Sequence, residues 1–331
     1  MKIHKLSSVA TVAAALCLMG LSCRHRQYRT YDGAVWGTTF HIVYESGREL
    51  EDSVMAQIRR VEMSLSAFES ASTVSAINSG ADGRVDNLFE LVFDEACRVN
   101  RLSNGMFDPT VGPLVDLWGF GRKSGVSAEP DSADVAAALK GVGISRCRID
   151  NGLLVKADSA TQFDFSAIAK GLGVDCVAEM LSRNGCTNYM VEIGGEVATK
   201  GVNAKGDTWR IQIDAPIDDA SGTVHSQLSV ISLADRSIAT SGNYRNYRDY
   251  ASGRVGHTIS PITGMPIATA TLSASVCAPS CMTADALATA CMAMPADEAL
   301  KMIESQDGVE ALIVVAQPGG YRVLTTSHFP R

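Results

Sequence analysis

The sequence predicts an α+β fold, on three observations. Strand-like and helical segments alternate without the regular βαβ rhythm of a parallel sheet, helical spacing of apolar residues is clear in the N-terminal third, and short strands crowd the second half. The 331 residues are 46% hydrophobic and 20% charged, an ordinary globular composition that supplies a large core. No composition break divides the chain after its N-terminus, so residues 34–331 read as one domain.

The N-terminus stands apart. Lys2, His4 and Lys5 form a basic start, and the stretch from Val9 to Leu21 carries no charge. It is short for a membrane span and ends in the small residues Gly20 and Ser22 beside Cys23, so residues 1–22 read as a signal peptide. A Cys directly after small residues is where a bacterial lipoprotein is cleaved and acylated. Gly20 stands where Leu is usual in that pattern, with Leu21 one place later. The expectation is lipidation at Cys23, a polar tether over residues 23–33, and an exported, membrane-anchored protein facing the periplasm, on the inner membrane.

Net charge is −7 with no long run of one sign, so nothing recommends a nucleic-acid partner. Of nine cysteines, Cys17 falls in the signal and Cys23 is the acylation candidate. The remaining seven, Cys97, Cys147, Cys176, Cys186, Cys277, Cys281 and Cys291, are odd in number and irregular in spacing, which is no disulfide framework. Cys97 and Cys176 fall in helical patterns, where buried free thiols are expected. Cys277 and Cys281 lack the second ligand pair of a zinc site.

Thr38–Tyr44 is strand-like. Val54, Ile58, Val61 and Leu65 space a helix, and Leu88, Leu91, Val92, Glu95, Val99 and Leu102 space another. Residues 104–130, rich in Gly and Pro, form a long structured loop or short helix. Asp131–Leu139 is a short helix closed by Gly141, and Arg148–Ala157 is a hairpin about Asn151-Gly152. Gln162–Phe165 is extended, and Ile168–Ser182 is a helix stopped at Asn184-Gly185. Tyr189–Ile193, Trp209–Asp214, Leu228–Leu233, Ile238–Thr240, His257–Ile259 and Leu272–Cys277 are short strands. Helices over 283–293 and 296–305 and a hairpin across Pro318-Gly319-Gly320 complete the chain.

Four constellations carry possible chemistry. Asp285 and Thr289, at i and i+4, share one helix face. A carboxylate and a hydroxyl so placed supply hard oxygen ligands for Mg²⁺, but spacing alone favours a plainer role, with Asp285 in the first turn of a helix capped by Thr283. Asp164 precedes a helix start near Ser166 that suits an anion, with Lys170 a turn later; the plainer role is an N-cap serine and a solvated lysine. Gly171-Leu172-Gly173 is neither a Walker A loop nor a dinucleotide fingerprint. The run Met106-Phe107-Asp108 through Gly121, with Trp118 and Phe120, suits a flat heterocycle that must be stacked and hydrogen-bonded. Lastly, Glu192-Ile193-Gly194-Gly195-Glu196 permits close backbone approach, Arg245 and Arg248 are candidate phosphate clamps, and His257 is an acid/base candidate.

In this order the motifs resemble the FAD:protein FMN transferase (ApbE) family. The stretches that carry the likeness are Trp36-Gly37-Thr38, Phe107 through Val115, Asp164 through Gly171, Glu192–Glu196, Ala239-Thr240-Ser241-Gly242, His257 through Gly264, and Asp285-Ala286-Leu287-Ala288-Thr289. The resemblance implies mixed sheets and helices in two lobes with FAD in the cleft. It implies FAD contacts at Trp36, Phe68, Met106, Phe107, Asp108, Asp164, Lys170 and His257. It implies Mg²⁺ on the side chains of Asp285 and Thr289, with main-chain oxygens near Ala167 and Met282. Two departures are Trp36, where the family commonly has Met, and Phe68, where it has Trp or Tyr.

The implied reaction is attack by a threonine hydroxyl of an acceptor protein on the FMN-side phosphorus of FAD, with AMP leaving. Catalysis would fall to Asp285 and His257, the proton going to His257 or to a metal-oriented carboxylate. Acceptors of the class implied are subunits of membrane redox complexes. Two other functions fit the same residues, an FAD pyrophosphatase in which water replaces threonine, and a lipoprotein that binds FAD without turnover.

Overall fold

The computed structural model describes residues 27–121, 128–216, 226–243 and 247–330. The signal segment, Cys23 and Arg245 lie outside the described residues. Residues 28–33, expected in a tether from their polarity, are instead part of a strand. β1 (Tyr28–Val35) pairs antiparallel with β2 (Thr38–Glu45), Val35 facing Thr38 across a two-residue turn. The strand is polar because much of it faces solvent at a sheet edge, where alternation decides structure more than mean hydropathy does. Its turn residues, Trp36 (φ 53°) and Gly37 (φ 75°), both take the left-handed conformation that matches strand twist.

The strands that follow are β3 (Cys147–Asp150), β4 (Leu153–Lys156), β5 (Tyr189–Ile193), β6 (Glu196–Lys200), β7 (Trp209–Asp214) and β8 (Gln227–Leu233). Then come β9 (Ser237–Gly242), β10 (Tyr247–Tyr250), β11 (Gly253–Gly256), β12 (Thr271–Ala278), β13 (Glu310–Gln317) and β14 (Gly320–Thr325). Eight of them form one antiparallel sheet in the order β1-β2-β5-β6-β9-β12-β13-β14. The β3–β4 hairpin turns on Asn151-Gly152, both at positive φ, as the sequence predicts. His257–Ile259, expected as a strand, is not one: β11 ends at Gly256, and Ile259 makes only a single bridge to Pro266. The preceding hairpin β10–β11 supplies the pairing that this segment lacks.

The described helices are α1 (Glu51–Leu65), α2 (Thr73–Ser79), α3 (Asn87–Leu102), α4 (Gly112–Leu117), α5 (Ser132–Leu139), α6 (Ala169–Arg183), α7 (Cys281–Met292) and α8 (Ala296–Glu304). Val54, Ile58, Val61 and Leu65 are all buried, so the helical spacing reports the core face of α1 correctly. Two boundaries differ from expectation. α6 begins at Ala169, with residues 166–168 in a turn. α7 begins at Cys281 because Ser280, not Thr283, is its cap: the Ser280 hydroxyl accepts the Thr283 N–H at 3.2 Å. Asp285 therefore lies beyond the first turn, and neither the cap expected at Thr283 nor the first-turn role expected of Asp285 holds.

Strand parity divides the apolar side chains between two faces. Ala274, Val276 and Ala278 of β12, with Ile313 and Val315 of β13, join the helical layer. Cys277, Leu312 and Val314, on the opposite parity, pack with Ile213, Ile231 and Leu233 of the β7–β8 hairpin. A small separate cluster of Leu114, Trp118, Val135, Val142 and Ile259 joins α4 and α5 to the loop after β11. The seven described cysteines are all free thiols; Cys97 is half-buried, Cys176 buried.

At the centre lies α7, buried almost all round, which four alanines and no large aromatic make possible. α6 crosses it at Gly171, where an added Cβ would lie 2.4 Å from the Cys281 carbonyl oxygen. The two glycines of Gly171-Leu172-Gly173 thus serve contact, not nucleotide recognition: Gly171 meets α7, and Gly173 meets the Trp36 ring, 2.5 Å from where a Cβ would stand. Gly171→Ala gains about 1 kcal/mol of helix propensity yet forces two backbones apart. The expected net result is a loss of about 1–3 kcal/mol in urea unfolding. A variant at least as stable as the parent would show that the helices do not meet there.

Candidate active site

The α6–α7 crossing brings three charges together. Lys170, one residue before the contact glycine, donates from Nζ to Glu196 Oε1 at 2.7 Å and lies 4.0 Å from Asp285 Oδ1. Asp285 is 2% exposed, and its Oδ2 accepts the Gly171 N–H at 3.0 Å. Burial raises the Asp285 carboxyl above the ordinary carboxylate range, against the pull of Lys170 and that N–H. Burial raises Glu196 as well, and Asp285 adds to it, while Lys170 opposes. Burial works against the Lys170 charge, but Asp285 and Glu196 outweigh it and hold the ammonium above its usual value. Glu196 lies at the first position of β6, straight after the Gly194-Gly195 turn.

These groups line one cleft of about 420 Å³. Its other walls include Phe68, Met106, Phe107, Asp108, Asp164, Ala167, Ser241, His257 and Thr289. The residues expected to bind a flavin nucleotide, Trp36 excepted, therefore converge, in a cleft whose wall is drawn from seven separate parts of the chain. Thr289 lies one turn beyond Asp285, and its hydroxyl is 3.2 Å from the Ser241 hydroxyl at the end of β9. Met282 does not line the cleft; it sits 8% exposed in the first turn of α7. A larger hollow of about 790 Å³ lies elsewhere, along α4 and α5, and among the described residues its lining holds the acidic Asp116, Glu129 and Asp134 and no lysine or arginine. The smaller cleft is the better candidate on chemistry.

Trp36 is placed apart from the cleft. It lines an adjoining cavity of about 630 Å³ that shares Phe68, Ser166 and Lys170 with it. Its left-handed backbone is rare for a bulky residue. Its buried Nε1 has no hydrogen-bond partner, and neither has Glu196 Oε2. Each orphan costs about 1–3 kcal/mol. Phe68 is 68% exposed, a large aromatic left open on the wall common to both cavities.

Several expected contacts have structural duties. Asp108 Oδ1 accepts from the Thr110 N–H at 2.9 Å, and Oδ2 from the Ile144 N–H at 2.9 Å, pinning the Met106–Thr110 loop. Burial nevertheless raises its carboxyl. Asp164 Oδ1 accepts from the Ser166 N–H and hydroxyl, shaping the turn into α6. Arg248 lies over the Phe120 ring at 5.7 Å and donates to the Gly119 carbonyl, so it holds a wall in place. His257 meets Phe120 edge-on, ring centroids 6.3 Å apart.

Glu196 and Asp175 are the important residues that sequence reasoning missed. Asp175, on α6, accepts the N–H groups of Cys281 (2.8 Å) and Met282 (2.9 Å), so it caps α7 from outside its own chain segment. No local spacing signals a cap supplied from a hundred residues away. Glu196 was visible only as the end of a glycine turn. Among the described residues no group of three or more His, Cys, Asp or Glu is placed to hold a metal ion. Asp285 and Thr289, both in the cleft wall, are oxygen donors of the hard type that Mg²⁺ accepts.

The ApbE family profile matches residues 36–313. An FAD:protein FMN transferase of Vibrio cholerae is 36% identical over 96% of this chain and 97% of its own. That of Haemophilus influenzae is 32% identical over 98% and 97%. Among solved structures, the flavin transferase ApbE from Vibrio cholerae superimposes with a TM-score of 0.82 at 35% identity, covering 92% of this chain and 98% of its own. The apo Pseudomonas stutzeri flavinyl transferase ApbE gives 0.83 at 31% identity, covering 92% and 96%.

Burial raises the Asp175 carboxyl from 3.8 to about 6, against the two N–H bonds it accepts. A folded-state value above the unfolded one means that ionisation opposes folding. The contribution is complete below the unfolded value and is lost as pH rises through about 6. In metal-free protein, the stability of the parent relative to Asp175→Asn should therefore fall between pH 4 and 7, by about 1–3 kcal/mol. A difference that stays flat across this range, in urea titrations at several pH values, would refute the assignment.

Proposed function

The chain belongs to the ApbE family and is an FAD:protein FMN transferase, and we propose that it joins the FMN half of FAD to a threonine hydroxyl of an acceptor protein, using Mg²⁺ held in the cleft. The observation that carries this reading is the buried Asp285 beside Lys170, with Thr289 one turn away. With both carboxylates ionised the cluster has one negative charge in excess, in a setting where unpaired charge is costly. A divalent cation corrects that excess and leaves a positive surface for pyrophosphate.

Asp285 and Thr289 would hold the metal through their side chains, with main-chain oxygens near Ala167 and Met282. When bound, Mg²⁺ supplies Lewis-acid neutralisation of pyrophosphate oxygens. Lys170 offers the second positive charge, and its fixed position between Glu196 and Asp285 orients the diphosphate without reorganisation. The aromatic and apolar wall of Met106, Phe107 and Phe120 suits a flat ring, and the exposed Phe68 suits another. In the reaction, the threonine O–H bond breaks, its proton passing to His257 or to a metal-oriented carboxylate, the oxygen forms a bond to the FMN-side phosphorus, and the bond to the AMP phosphate breaks. The protein's task is mainly positioning and charge neutralisation.

The N-terminal pattern supports export and anchoring through Cys23, on the periplasmic side of the inner membrane. Acceptors would then be subunits of membrane redox complexes. Among the described residues no helix is long and apolar enough to cross a membrane. A Cys23→Ala chain released from the membrane fraction would support acylation; one retained there would oppose it.

Incubation with FAD, Mg²⁺ and a threonine-bearing acceptor should add one FMN to that threonine, by intact-mass analysis. Asp285→Ala should reduce transfer by at least about a hundredfold, the scale of losing one electrostatic element of such a site, while part of the FAD binding survives. Transfer that persists in EDTA, or in this variant, would sink the metal assignment. FMN and AMP released without acceptor would favour the pyrophosphatase, and tight FAD binding with no AMP released would favour a carrier.

A further inference from the structure

We propose that β1 sets how far from the membrane this enzyme works, so that it modifies acceptor threonines displayed within about 50 Å of the bilayer surface and not those held farther out. The inference rests on the anchoring through Cys23 proposed above. It concerns which acceptors an anchored site reaches, a property that the contents of the cleft do not decide.

Cys23 precedes Gln27 by so few residues that the chain between them spans at most about 14 Å. Further slack would have to come from β1, and β1 is fastened from its first residue. The Tyr28 hydroxyl donates to the Val202 carbonyl at 2.7 Å, and the Tyr28 ring meets Trp209 edge-on, centroids 6.4 Å apart. The Ser46 N–H donates to the Gln27 carbonyl at 3.0 Å. Arg29 donates from Nε to the Ser46 carbonyl at 3.3 Å and from Nη1 to Glu49 at 3.1 Å. Every residue from Tyr28 to Val35 then keeps register with β2. Peeling β1 away would break these contacts together with a row of ladder hydrogen bonds, each worth about 0.5–1.5 kcal/mol, so the strand adds no length to the tether.

The far end of the same strand is the site. Val35 leads into Trp36, whose ring abuts Gly173 on α6, the helix that carries Lys170. Trp36 and Gly37 line the cavity that shares Phe68, Ser166 and Lys170 with the cleft. From Gln27 to Trp36 the chain rises about 30 Å at strand spacing. Cys23 and Trp36 are therefore at most about 45 Å apart, whichever way the molecule leans on the membrane, and the cleft lies just beyond. The sheet makes this limit rigid, because β1 belongs to the same eight strands as Glu196 of β6 and Ser241 of β9, both in the cleft wall. A site so held meets nearby acceptors at high effective concentration and distant ones at almost none.

The test uses the full lipidated chain on phospholipid vesicles with FAD and Mg²⁺. The acceptor is a threonine-bearing peptide at the tip of a trimeric coiled-coil stalk that continues from its own membrane helices, built about 30 Å or about 90 Å tall by residue count. Wild type should modify the short-stalk acceptor at least about tenfold faster than the long one. Inserting about forty Gly and Ser residues between Arg26 and Gln27, a coil of about 35 Å that stretches further, should raise the long-stalk rate about tenfold. The Cys23→Ala chain, free in solution, should treat the two stalks alike. Equal rates on both stalks from wild type that floats with the vesicles, or a long-stalk rate unmoved by the insertion, would overturn the proposal. Wild type that does not float would sink the anchoring beneath it, and a Cys23→Ala chain that modifies neither stalk would count instead against the transferase reading.

Discussion

One ammonium between two buried carboxylates organises this molecule. Lys170 reaches Glu196 from β6 and Asp285 from α7, so a single side chain ties the first helix of the site to both the sheet and the central helix. Such a cluster is not a source of stability by itself, since burying three charges costs more than their attraction returns unless geometry is favourable. Its cost is tolerable only because everything around it is fixed. Gly171 lets α6 and α7 meet, Asp285 takes the Gly171 N–H at that meeting point, and Asp175 holds the start of α7.

That arrangement explains why the centre of the fold is built from small residues. α7 must pass between α6 and strands β9 and β12, and its alanines permit it. A larger core helix would separate Asp285 from Lys170 and open the site to water, where the same charges would be screened and weak. Packing density here sets electrostatic strength. The apolar wall of Phe163, Phe165 and Phe89 behind the turn into α6 serves the same end, holding the backbone of residues 164–168 from the side away from the cleft.

The parts of this design that are local were legible in the sequence. The core face of α1, the Asn151-Gly152 hairpin and the alternation of β7 follow from spacing and turn chemistry within a few residues. The parts that depend on distant partners were not. β1 looks like tether until β2 pairs with it, Thr283 looks like a cap until Ser280 is seen to take that place, and Asp175 looks like an ordinary helix aspartate until it meets Cys281 and Met282. Glu196 is the extreme case. Its meaning is a missing hydrogen bond, and an absence of partners cannot be read from spacing.

Asp285 shows how the two kinds of information combine. At i and i+4 with Thr289 it fits a ligand pair and a helix terminus equally well, and spacing favours the latter. Two findings remove the helix-terminus reading: the helix starts at Cys281, four residues before Asp285, and the carboxylate is buried near a lysine rather than turned to solvent at a helix end. A first-turn aspartate would be stabilised by free N–H groups and would need no cation. This one has a single N–H, a lysine it must share with Glu196, and a carboxyl pushed up by burial. It is under-neutralised where it stands, and that deficit is what a site for a divalent cation and a diphosphate requires.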